Sequence, residues 1–66
     1  MSPKPLFARV ETIMIMYILY DKDEIAYVLY DLEKAIQEAM RLSLVLVRVS
    51  VAEDGSAKSM TIYEPS

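Results

Sequence analysis

The sequence predicts a single two-layer α/β domain of strand–helix–strand–strand order: a three-stranded mixed sheet, strand order 3-2-1, with one helix packed on one face. Three observations predict it. Residues 13–20 (IMIMYILY) form an unbroken apolar run with β-branched and aromatic side chains. Residues 25–40 place apolar side chains at helical spacing. Residues 44–52 (LVLVRVSVA) separate into two side-chain rows and run into an Asp-Gly turn.

Ser2-Pro3-Lys4-Pro5 reads as an extended lead-in, since neither proline suits a strand centre. The first strand is expected from about Phe7 to Tyr20. Asp21 then caps a helix, with Glu24 three residues on as in a capping box and Tyr20 and Ile25 placed as a hydrophobic staple. The helix runs to about Leu42. Ile25, Val28, Leu29, Leu32, Ala35, Ile36, Ala39 and Met40 form its apolar stripe, and Tyr27, Tyr30, Lys34, Gln37 and Arg41 its outer face. About twenty helical residues and nine or ten strand residues both span ~30 Å, so the helix returns the chain along the first strand. A right-handed crossover then makes the first and second strands parallel. The second strand occupies 44–52, Glu53-Asp54-Gly55-Ser56 turns, and 57–63 returns as a third strand, the most polar and so an edge. Ile-Leu-Tyr-Asp at 18–21 and Val-Leu-Tyr-Asp at 28–31 are near-identical, yet the surrounding period reads one as a strand end and the other as mid-helix.

One helix covers one face of such a sheet. The valine row (Val45, Val47, Val49, Val51) and the even row of the first strand (Val10, Thr12, Met14, Met16, Ile18) are expected beneath it. Ile13, Ile15, Tyr17, Leu19, Leu44, Leu46 and Tyr63 then line an uncovered face, larger than a monomer normally exposes. With the hydrophobic first strand also at an edge, these residues are the expected interface of a homo-oligomer, most simply a dimer. Tyr27 and Tyr30 are a secondary interface candidate. The alternative is a central first strand, or termini folded over this face.

Composition narrows the function. The chain has 66 residues, 55% of them hydrophobic, a net charge of −3, and neither Cys nor His. Disulfides, thiolate metal sites and histidine chemistry are therefore excluded. The acidic group Asp21, Asp23, Glu24 lacks the glycine and spacing of a Ca²⁺ loop, so no metal and no cofactor is expected. Gly55 is the only glycine, so there is no phosphate-cradling loop, and no catalytic residue is assigned. The seven basic residues are scattered, which argues against nucleic acid. The apolar run is too short to span a membrane and is followed by charges where a signal-peptide cleavage site would lie. The expected setting is cytoplasmic.

The segments DKDEIAYVLYDLEKAIQEAM and VRVSVAEDGSAKSMTIYEPS, with minimal loops and a single glycine in the turn, resemble computationally designed α/β miniproteins. That resemblance implies an idealised fold with no natural substrate, and the exposed IMIMYILY run departs from it unless it serves an intended interface. The strand–helix–strand–strand order also resembles that of dodecins, small flavin-binding oligomers, but the tryptophan that stacks on the flavin is missing here. The functional expectation is self-association. The alternatives are a module docking a different protein on the same surface, a small viral or archaeal regulator, and a dodecin-like small-ligand binder.

Overall fold

The computed structural model describes residues 11–65. The lead-in 2–5 and the expected strand start at 7–10 lie outside them. Within them the chain builds five elements: strands β1 (Thr12–Asp21) and β2 (Glu24–Leu29), helix α1 (Leu32–Leu42), and strands β3 (Val45–Ala52) and β4 (Ala57–Tyr63). All neighbouring strands are antiparallel, in the order β2-β1-β3-β4, giving an α+β fold. This corrects the expected three-stranded mixed sheet of order 3-2-1. The first strand is central, as in the alternative arrangement, and the crossover helix joins β2 to β3 with β1 lying between them.

The correction originates at residues 21–29. Lys22 (φ 52°) and Asp23 (φ 71°) both take positive φ, as a two-residue hairpin of mirror-image turn requires, so the chain folds back instead of entering a helix. Tyr20 and Ile25, expected as a staple across a helix cap, are cross-strand neighbours. The Ile-Leu-Tyr-Asp and Val-Leu-Tyr-Asp strings share one fate. Ile18 pairs with Val28, both strings end strands, and Asp21 and Asp31 each begin the next turn or helix. Tertiary pairing decides here. Ile25, Tyr27, Val28 and Tyr30 suit a strand as well as a helix, and β2 satisfies backbone groups that an edge β1 would leave open.

Helix α1 starts ten residues later than expected, at its own cap. Asp31 is extended (φ −109°, ψ 121°), its carboxylate accepts the Lys34 amide at 3.2 Å, and its carbonyl accepts the Ala35 amide at 2.9 Å. Ser43 closes the helix in the left-handed region (φ 55°), and the Leu44 amide reaches the Ala39 carbonyl at 2.9 Å. On the exposed face Arg41 donates to Glu38 at 2.6 Å.

The β3–β4 hairpin turns where the Asp-Gly pair places it. Gly55 takes φ 89° and donates to Ala52 at 3.0 Å, while the Asp54 carboxylate accepts the Ser56 amide and hydroxyl at 2.8 and 2.6 Å. Register shifts insert Ala26, Ile13 and Ile62 as bulge residues in the three ladders. Among the described residues the backbone carries these bulges and three non-glycine residues at positive φ, Lys22, Asp23 and Ser43.

The core is small. Leu19, Leu44 and Leu46 pack under Ala35 and Ala39, flanked by Tyr17, Leu29, Ile36 and Tyr63. The two alanines let the helix lie close on the sheet, and the leucines fill the space beneath it. Eleven helical residues span ~16 Å, about half the length of β1. The same side of the sheet beyond them carries Ile15, Arg48, Ser50, Lys58 and Met60.

Candidate interaction surface

Residues paired directly across antiparallel strands share a face, so the pairing fixes both sides of the sheet. Leu19 pairs with Leu46 and Leu46 with Tyr63, which places the helix on this side. The other side is built from Met14, Met16, Ile18 and Tyr20 of β1, opposite Val51, Val49, Val47 and Val45 of β3. Ile25 and Val28 extend it across β2, and Ala57, Ser59 and Thr61 across β4.

The expected face assignment is thus reversed. Of the seven residues expected on an open interface, Leu19, Leu44 and Leu46 are buried under α1, Tyr17 and Tyr63 are half-buried beside them, and Ile15 is half-buried further along. Ile13 sits in a bulge and is exposed. The expected strand-one edge does not exist, because β1 is paired on both sides. Tyr27 and Tyr30 are exposed as expected, but Tyr27 lies on β2 and Tyr30 in the connection to α1.

The reversal has a clear cause. Charge predicts the valine row as core, because it is purely apolar while the odd row of the first strand begins with Arg9 and Glu11. A short helix weakens that rule. Arg48 and Lys58 tolerate the helix side because α1 leaves half of it to water. The available signal was size: leucine and tyrosine on one row match alanine on the helix, whereas the valine row has no counterpart on α1.

Among the described residues the side opposite α1 carries no charged residue in its rows. A shallow groove of about 530 Å³ runs along it, floored by Val45, Val47, Val49, Ser59 and Thr61. Lys22, Asp23 and Glu64 stand at one end. An apolar centre with a polar end is the anatomy of an interaction surface.

Other chemistry is sparse among the described residues. No group of three or more acidic side chains is placed to share a metal ion, and no helix is long and apolar enough to cross a membrane. Asp21, Asp23 and Glu24 lie in and beside the β1–β2 turn. The shifted carboxyls serve local structure. Arg41 holds Glu38 below the usual range by hydrogen bond and charge, and Ser56 lowers Asp54 by donating two hydrogen bonds. No known protein family, characterised protein or solved structure matches the chain.

Proposed function

We propose that the chain functions as a self-associating module whose uncovered sheet face packs on the same face of a second copy. The observation that carries this reading is the unbroken apolar surface formed by the methionine–isoleucine row of β1 and the valine row of β3, with no helix over it among the described residues. In an antiparallel sheet with a solvated side, polar residues alternate with apolar ones. Here the alternation fails on the side the helix leaves open.

A second copy suits this face for two reasons. Apolar rows without charges can be complementary to themselves, as a two-fold interface requires. Two such sheets stack ~10 Å apart with their side chains interdigitated, and the valine and methionine rows can fill that layer. The area is also adequate. Four strands ~4.8 Å apart and ~24 Å long offer about 450 Å² in plan, so a pair covers roughly 900 Å² before side-chain relief is added. Specific interfaces begin at about 1,000 Å². The pair is therefore near the lower limit, and a micromolar dimer is expected.

The test is sedimentation equilibrium over a hundredfold dilution range. The expected result is a species of at least twice the 7.5 kDa chain mass whose stacked contact Val47→Arg or Val49→Arg breaks, lowering the mass without loss of secondary structure. A cooperatively folded monomer across the whole range would overturn the reading.

A further inference from the structure

The two edges of the sheet differ. β4 carries Lys58 near its start, and Pro65 follows it, both of which discourage strand addition. β2 has neither a lysine nor a proline. Its side chains are exposed on both faces at once: Ile25 59% and Val28 42% on the uncovered side, Tyr27 48% on the helix side, with Tyr30 at 68% beyond its end. Among the described residues nothing pairs with its outer edge. Beside that edge lies a groove of about 400 Å³ between β2 and α1, lined by Tyr27, Leu29, Lys34, Gln37 and Glu38.

We infer that the β2 edge is a second docking site, occupied by β2 of another copy in antiparallel register, so that two four-stranded sheets join into one. A two-fold register that sets Ala26 opposite Tyr27 satisfies three conditions together. Ile25 then stands opposite Val28, and both belong to the uncovered side. Tyr27 of the second copy meets Ala26, the smallest side chain of the strand, and its ring lies at the groove beside Leu29. Glu24 of the second copy stands opposite Leu29 on the helix side, next to Lys34, which has no carboxylate within ion-pairing distance among the described residues. By symmetry the pair forms twice. This joining is independent of the stacking proposed above and doubles the width of the apolar face available to it.

Charge reversal tests the register. The series is the unmodified chain, Glu24→Lys, Lys34→Glu and the double reversal E24K/K34E. It is measured by sedimentation equilibrium at low ionic strength, alone and on a Val47→Arg background that disables the stacked face. On that background the chain should still dimerise. Each single reversal sets like charges opposite twice per dimer and should weaken it roughly tenfold. The double reversal should restore it to within about threefold, and ~1 M salt should compress all differences. A Val47→Arg chain that is monomeric throughout, while the unmodified chain dimerises, overturns the edge site and leaves the stacked face standing. A Val47→Arg chain of unchanged mass that responds to the reversals has the converse meaning. If Val47→Arg fails to fold, the same reversals in the otherwise unmodified chain decide: no change in mass distribution for either single variant, or no recovery in the double, overturns the inference.

Discussion

Leu46 and Val47 are adjacent on β3 and point to opposite sides of the sheet, so introducing arginine at each separates folding from assembly. Leu46 is fully buried among Leu19, Ala35 and Ala39. Truncating such a leucine costs about 2–5 kcal/mol, and replacing it by an unpaired buried charge costs several more. The total stability of a domain this size is on the order of 3–10 kcal/mol. Leu46→Arg is therefore expected to unfold the chain, removing the far-ultraviolet circular dichroism of both strand and helix. Val47 lies between Ile18 and Thr61 on the uncovered side. In a lone chain an arginine there lays its stem along the sheet and keeps its guanidinium in water, at a cost within about 1 kcal/mol. Across a stacked interface symmetry brings two such charges into an apolar layer, which costs several kcal/mol. Val47→Arg should therefore keep the circular dichroism and lose the stacked contact, leaving no assembly larger than the edge-joined dimer, with urea unfolding and sedimentation as the paired assays. A folded Leu46→Arg beside an unfolded Val47→Arg would refute the face assignment. Equal behaviour of the two would refute the claim that only one side is core.

Further substitutions probe the local structure. Lys22→Asn with Asp23→Gly supplies the residues a two-residue hairpin prefers and should raise the melting temperature; a helix through this segment would instead lose about 1 kcal/mol at the new glycine. Asp31→Ala removes the cap on α1 and should cost about 1 kcal/mol, or roughly 4–8 °C in thermal unfolding; an unchanged midpoint would place the helix start elsewhere. Gly55→Ala should cost about 1–2 kcal/mol through backbone strain alone, because nothing lies within 4 Å of the added methyl, and Gly55→Asn should cost less. Glu38 and Asp54 have carboxyls lowered by folding, so their contribution is present above their unfolded values and is lost as pH falls through the folded ones. Stability should decline between about pH 5 and pH 3, and a Glu38→Gln, Asp54→Asn variant should decline less over that interval.

Local patterns in the sequence determined the parts of the fold that close over a few residues. The Asp-Gly turn, strand 57–63 and the two side-chain rows of 44–52 are legible because each depends on neighbours close in the chain. The helix end near Leu42 is legible for the same reason. Two matters were decided only in three dimensions. The first is the state of residues 24–29, where Ile25, Val28 and Leu29 fit both a helical stripe and a strand. Pairing with β1 breaks the tie by enclosing an apolar strand that would otherwise be an edge. The second is which side of the sheet the helix covers. Both rows of β1 are apolar through residues 13–20, so hydrophobicity does not distinguish them. The choice follows from fitting Ala35 and Ala39 closely over leucines, a matter of shape that no periodicity reports. The sequence does carry a surplus of apolar surface, since one short helix cannot cover two hydrophobic rows. The tertiary structure decides that the valine row is the one α1 leaves uncovered.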